Sequence, residues 1–429
     1  MRRHLKLCHT SDWHLGHTLH GHPREHEHER FLAFLLDVLE REAVDALIVA
    51  GDVFDTANPP ASAQAMFYRF LAEARARLPR LDVVIVAGNH DSAARLGAAD
   101  PVLRAIGVRI VGAVPRLGAG GRAPVDADAM VVPLHDRNNE VAAWVAAVPY
   151  LRPADLPALD APVNAERADP LVEGVRRVYG EVLDAARARQ KPDQALIATG
   201  HCHMVDVQRS EDSERPILGG LKHALPVDLF PGDVGYAALG HIHLAQPVGE
   251  HEHVRYCGSP IPLSMPEESY PHEVRLVRFE GGVLVGQTKV RVPRAVDVIR
   301  VPGEEADSLE RVLGQLERLE VPAGLPREQQ PFLEVRVRLS EPVPDLRRQI
   351  EAAIGERPVR LVKITTAYTG RDVPLAESAP RRDLGDLQVE EVFRQAYARR
   401  YEGDPSPALL RAFHEVAASA ARALEEGEA

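Results

Sequence analysis

The chain has 429 residues, 45% of them apolar, and a formal net charge of −12. That length suggests about three domains of ordinary size, and the acidic balance argues against a protein that coats nucleic acid through its global charge. No run approaches the ~20 uninterrupted apolar residues of a membrane span. The start, "MRRHLKLCHTSDWH", is basic but lacks the apolar stretch of a signal peptide. Three scattered cysteines, Cys8, Cys202 and Cys257, build no disulfide framework, so a reduced, cytoplasmic protein is expected.

In chain order, five short apolar runs each end in a burst of Asp, Asn or His: "HLKLCHTSDWH", "DALIVAGDVFD", "DVVIVAGNHD", "ALIATGHCH" and "YAALGHIH". Runs of this length, rich in Val and Ile and bounded by Gly, read as buried strands. Each polar burst then sits at the C-terminal end of its strand, where an α/β-type sheet gathers residues distant in sequence. After the first strand, Phe31, Phe34, Leu35, Val38 and Leu39 follow the spacing of one helical face. The Gly/Ala/Pro-rich stretch near 115–130 reads as a peripheral loop or hairpin. Beyond about residue 290 histidine nearly vanishes. "AVDVIRV", "FLEVRVRL" and "VRLVKI" are strand-like there, with helix faces at Leu309, Leu313 and Leu316 and at Leu346, Ile350 and Ile354. Residues 294–368 therefore read as a small β-α-β-α-β domain, 369–386 as a linker, and 387–429 as a helical region. The last carries Val389, Val392, Phe393 and Tyr397 on one stripe and Leu410, Phe413 and Leu424 on another.

The five strand ends offer Asp12 and His14; Asp52; Asn89, His90 and Asp91; His201; and His241 and His243. This is a nitrogen and oxygen donor set without cysteine, suited to Mn, Fe or Zn rather than to a structural zinc knot or an all-oxygen calcium site. Seven plausible ligands are too many for one metal and match two, with one carboxylate bridging. Two metals about 3.5–4 Å apart can activate a hydroxide while neutralising a phosphate under in-line attack. A lone D-x-H or Gly-Asp is common by chance. Five strand ends in order, each with a ligand-type residue beside a small one, are not.

The order D-x-H, G-D-x-x-D, G-N-H-D, G-H and G-H-x-H resembles the calcineurin-like metallophosphoesterase superfamily. Longer stretches, "HTSDWHLG", "IVAGDVFDT", "AGNHDS", "VPYLRP", "YAALGHIHLAQ" and "VRYCGSPIPLS", narrow the resemblance to the SbcD family of nuclease subunits. The resemblance implies an α/β fold: a β-sandwich flanked by helices over 1–290, a capping domain at 294–368 and a C-terminal helix pair. It also implies a split of the ligands. Asp12, His14, Asp52 and His243 would hold one metal; Asp52, Asn89, His201 and His241 would hold the other, with Mn²⁺ first among the divalent ions. His90 would stabilise the transition state or protonate the leaving oxygen, and Asp91 is expected to hold its ring.

Further implied are a 3′→5′ double-strand exonuclease and single-strand or hairpin endonuclease of DNA repair and recombination. The expected partners are DNA and the coiled coil of an SbcC-type ATPase, in a homodimer within a heterotetramer, with no membrane. Phe67 to Leu71 is one candidate dimer surface. His17 and Arg95 are candidate substrate contacts, and Arg152 is placed to meet phosphates. His14 is thus the one ligand among the seven histidines between His9 and Phe31. His9 and His28 read as packed, and His20, His22 and His26 as loop and helix-start residues. His203 and Cys202 flank His201, and Asp55 either supports the site or fixes its loop. Two other readings stand beside this one: a phosphoesterase of small phosphodiesters or nucleotides, which would need no cap or helix pair, and a silent scaffold, which an intact ligand set argues against.

Overall fold

In a computed structural model, the described residues are 3–118, 123–157, 169–208, 224–340 and 343–368. The expected linker at 369–386 and helical region at 387–429 lie outside them. Contacts divide the chain into one unit of Met1–Val337 with Asp345–Thr365 and a second of Arg338–Pro344 with Thr366–Ala429.

Twelve strands of the first unit form two six-stranded sheets. They are β1 (His4–Thr10), β2 (Ala46–Ala50), β3 (Asp82–Val86), β4 (Val108–Val111), β5 (Val131–His135), β6 (Val141–Ala147), β7 (Ala195–His201), β8 (Tyr236–Gly240), β9 (Gln246–Val248), β10 (His251–Tyr256), β11 (Glu273–Glu280) and β12 (Val283–Arg291). The first sheet runs β12-β11-β1-β2-β3-β4, the second β9-β10-β8-β7-β6-β5. All five runs read from the sequence are strands. β1, β2 and β3 are parallel neighbours in one sheet, as are β7 and β8 in the other. Register aligns the ends: Thr10 pairs with Val49, Ala50 with Val86, and His201 with Gly240.

Alternation along each strand decides which layer its side chains fill. Leu5, Leu7, Ala46, Ile48, Val84 and Val86 point between the sheets, onto Val145, Ile197, Tyr236 and Ala238 of the second. Cys8, Leu47, Val49, Val83 and Ile85 point outward and are covered by two helices, α1 (Glu25–Arg41) and α2 (Ala61–Arg77). A third helix, α3 (Pro170–Arg187), covers the second sheet through Val178, Tyr179 and Val182. The result is a sandwich flanked by helices.

The smaller sheet follows. β13 (Val298–Val301) is parallel to β14 (Phe332–Leu339), which also pairs with β15 (Arg360–Tyr368). Two helices, α4 (Leu309–Glu317) and α5 (Leu346–Ile354), lie between them in sequence. Val296, Val298 and Phe332 share a buried cluster with Leu19 and Met265.

The surface expected at Phe67 to Leu71 is mostly interior. Phe67, Phe70 and Leu71 are buried, and Trp13 meets the rings of Phe67 and Phe70 edge-on at 6.5 and 5.3 Å. Only Tyr68 and Arg69 of that segment face solvent. An apolar face that covers the outer side of a sheet is not free to dimerise. Accordingly, Phe67→Ala should cost about 3–5 kcal/mol of stability, whereas Tyr68→Ala should stay within about 0.5 kcal/mol. Denaturant unfolding of the two variants separates the packed face from the exposed one.

Candidate metal centre

The loops after β1 and β2 are zipped together by backbone bonds. Asp12 N–H donates to Gly51 C=O (3.0 Å), His14 N–H to Asp52 C=O (3.0 Å) and Leu15 N–H to Val53 C=O (2.9 Å). This pairing needs tight reversals. Asp12, His14 and Asp52 adopt φ of 54°, 47° and 48°, and His241 a φ of 104°. Left-handed backbone costs a non-glycine residue of order 1–3 kcal/mol and persists where the surroundings over-determine it. The motif glycines answer a different need, close approach. A Cβ on Gly88 would lie 2.1 Å from Asp52 Oδ1, and one on Gly51 2.3 Å from His201 Nδ1.

These loops bring the donors into one buried cluster. Atoms of Asp12, His14 and His243 lie within 4.8 Å of one another, as do those of His14, Asp52 and His90, and those of Asp12, Asp52 and His201. Asp52 Oδ2 sits 3.5 Å from His14 Nε2 and 3.3 Å from His201 Nε2. Asn89 Oδ1 lies 2.9 Å from His201 Nε2 and 3.1 Å from His241 Nδ1. Two carboxylates are steadied by backbone N–H groups: His90 donates to Asp52 Oδ1 and His241 to Asp12 Oδ1, both at 2.9 Å.

The far nitrogens of the imidazoles are also engaged. His14 Nδ1 is 3.2 Å from Asp55 Oδ1, His201 Nδ1 2.9 Å from Ala50 C=O, and His243 Nδ1 3.0 Å from Glu267 Oε1. A ring that donates from Nδ1 presents its Nε2 lone pair inward, the tautomer a metal requires. His14 Nε2 is buried with no hydrogen-bond partner. A buried nitrogen without a partner, aimed among carboxylates and imidazoles, fits a cation better than a packed core. The donors fit a pair of divalent ions.

Without an ion, the charges of the cluster act on one another. Burial, with His201 nearby, keeps His241 well below the usual imidazole range, so it stays neutral. Burial pushes the Asp12 carboxyl up. It would do the same to Asp52, but the surrounding His201, His14 and His90 hold that carboxyl well below the usual range. Burial alone would lower His201, yet Asp52 and Asp12 raise it to about 9.

One expectation needs correction. Asp91 does not hold the His90 ring. Its carboxylate accepts the backbone N–H groups of Val53, Phe54 and Gly88 at 3.1, 2.9 and 2.9 Å, tying the loops after β2 and β3. His90 Nδ1 instead lies 2.8 Å from the Asp55 carbonyl. Arg152 is half-buried, gives one donor to the Asp91 carbonyl at 3.4 Å and lies over the Tyr150 ring. The remaining residues fall as follows. His17 is half-buried beside His14, whose carbonyl accepts its N–H at 2.9 Å, while Arg95 is exposed on a short helix, Ala93–Gly97. His9 is packed against Tyr236, and His28 is fully buried on the inner face of α1. Cys202 Sγ rests 3.8 Å from Met204 Sδ, its thiol pushed up to about 12 by burial, and the ring of His203 lies 6.3 Å from that of His241. Glu267 was not singled out in the sequence. It stands 24 residues from His243 in "SMPEES", where no spacing links it to a ligand.

Residues 5–245 match the calcineurin-like phosphoesterase family, and residues 294–401 the family described as type 5 capsule protein repressor C-terminal domain. The chain is similar to the SbcD subunits of the nuclease SbcCD from several bacteria. That of Rhodobacter capsulatus is 38% identical, over 92% of this chain and 94% of that protein. That of Escherichia coli K12 is 35% identical, over 92% and 93%, and that of Bacillus subtilis 27%, over 96% and 98%.

Two measurements check the centre. A metal on His201 must displace a proton held up to about pH 9. Apparent Mn²⁺ affinity should therefore rise with pH through neutrality and level off only above about 9, with proton release seen by calorimetry in buffers of differing ionisation enthalpy. Separately, Asp55→Ala, which leaves His14 Nδ1 without its acceptor, should weaken Mn²⁺ binding about 10–100-fold.

Proposed function

The chain belongs to the calcineurin-like phosphoesterases, within the SbcD family of nuclease subunits, and from that premise we propose that it is the metal-dependent DNA nuclease of an SbcC–SbcD complex. Phosphodiester hydrolysis is the chemistry of the site. One observation carries the reading: a single oxygen, Asp52 Oδ2, lies between His14 Nε2 and His201 Nε2, one histidine from each of the two facing sheets. Asp12, His14, Asp52 and His243 would hold one divalent ion; Asp52, Asn89, His201 and His241 would hold the other, with Mn²⁺ the metal. When bound, such ions supply charge against the phosphate and lower the pKa of water. The chain's own residues do the rest. His90, its Nδ1 anchored on the Asp55 carbonyl, meets the scissile phosphate or its leaving oxygen through Nε2. Asp91 keeps the loops around it rigid through its three backbone bonds. His17 and Arg95 contact the flanking phosphates.

The substrate is DNA, cut from 3′ ends of duplex and at single-stranded or hairpin structures during repair and recombination. Residues 1–290 form the nuclease domain, 294–368 cap it, and 369–386 tether the region at 387–429 that docks on the ATPase coiled coil. Docking by an amphipathic segment on a tether is a common helix-in-groove arrangement. The working form is a homodimer inside a cytoplasmic heterotetramer. No helix among the described residues is long and apolar enough to cross a membrane.

The test is incubation of the full chain with Mn²⁺ and 3′-labelled linear duplex DNA. Wild type should release labelled nucleotide, and Asp52→Asn should not. His90→Ala should also abolish cleavage yet still bind two Mn²⁺ by calorimetry; loss of a metal in that variant would move His90 into the ligand set. Intact DNA together with hydrolysis of a small phosphodiester would keep the metal centre and remove DNA as a substrate of the isolated chain.

A further inference from the structure

The turn Ser264–Tyr270, with its short 3₁₀ segment Met265–Ser269, faces the metal centre and the smaller domain at once. Toward the centre stands Glu267, fully buried. Its Oε1 accepts from His243 Nδ1 at 3.0 Å and from Ser264 Oγ at 3.2 Å, and its Oε2 accepts the Leu263 N–H at 2.8 Å. Toward the cap, the Met265 carbonyl accepts from the guanidinium of Arg300 on β13, and the Glu268 carbonyl from that of Arg294. The Met265 side chain is buried with Val296, Val298 and Phe332 of the cap and with Leu19. Arg300 is itself held 3.3 Å from Glu334 on β14.

A five-residue 3₁₀ segment has little freedom to shift one carbonyl without moving its neighbours. Met265 and Glu267 are two residues apart, so displacement of the cap's grip on one carbonyl is passed to the carboxylate that aims His243. Loss of a charge-assisted bond to a buried carbonyl also leaves that carbonyl unsatisfied, which favours rearrangement of the turn.

We propose that Glu267 is a positioning residue through which the seating of the cap sets the affinity of the metal position formed by Asp12, His14 and His243. The inference rests on the two-metal reading above. It assigns to the cap an influence on that one metal position, separate from any contact with substrate.

Mn²⁺ binding to the full chain, followed by calorimetry and by electron paramagnetic resonance of the bound ions, tests it. Wild type should bind two Mn²⁺. Glu267→Ala should weaken one position about 10–100-fold and spare the other. Arg300→Met, which touches no metal donor, should weaken the same position about 3–30-fold, the range expected of a transmitted coupling. It should add little further in the Glu267→Ala background. Arg294→Met at the more exposed rim, and Glu267→Met, which keeps the bulk of the side chain but offers His243 Nδ1 no oxygen acceptor, give the same contrast if either first variant does not fold. If the Arg300 and Arg294 variants leave both Mn²⁺ constants unchanged while Glu267→Ala weakens one, the cap does not set the centre and the proposal falls. If they weaken both positions equally, it falls as well. Binding of fewer than two Mn²⁺ by wild type would instead overturn the two-metal reading itself.

Discussion

Everything near the centre depends on placing one carboxylate, that of Asp52, between histidines carried by two different sheets. Carboxylates and imidazoles buried this close together are unfavourable unless each is held and compensated. The chain meets the first requirement with backbone. One Asp52 oxygen is tied to the His90 N–H, leaving the other between His14 and His201. Gly88 leaves room for it, and the left-handed turns at Asp12, His14 and Asp52 allow the loops to close on each other. The second requirement, compensation of charge, is what a pair of divalent ions provides.

The layers around the centre follow from that demand. Rigid strand ends hold donors more accurately than free loops do. The parallel β1, β2 and β3 end level in one sheet and β7 and β8 in the other, with aliphatic faces locking the two sheets together. The outward faces of the first sheet are closed by α1 and α2, with Trp13, the residue between Asp12 and His14, buried among Phe31, Phe67 and Phe70. Donor geometry and core packing therefore share a segment. A change at Trp13 would be felt in both.

The histidine-rich start shows how one residue type divides its uses. His14 enters the centre. His9 bonds Tyr236 inside the sandwich, and His28 is buried on the inner face of α1. His22 meets the Phe332 ring at 6.2 Å. Nearby, Arg24 is buried with both Glu27 and the carbonyl of Pro262, and lies over the same Phe332 ring. The stretch thus links the strand that leads to Asp12 and His14 with the segment around Phe332, and the turn carrying Glu267 packs on the same segment through Met265.

Much of this was legible in the sequence. The five strands, and the polar residues that their ends bring together, were readable because each is local: an apolar run sets the strand, and in four of the five a glycine marks its end beside the polar residue. What the sequence could not determine is where the remaining polar atoms go. Asp91 was expected on the His90 ring, yet three backbone N–H groups claim it, because the loops after β2 and β3 pass each other only once folded. Asp55 reaches His14 with its side chain and His90 with its carbonyl, and Glu267 reaches His243 from a separate turn. The Phe67–Leu71 stripe could equally have faced a partner or the sheet. Local pattern determines which residues are donors and which faces are apolar. Which atom orients which donor, and what covers each face, depends on close approach between segments far apart in the chain, and only the tertiary structure decides that.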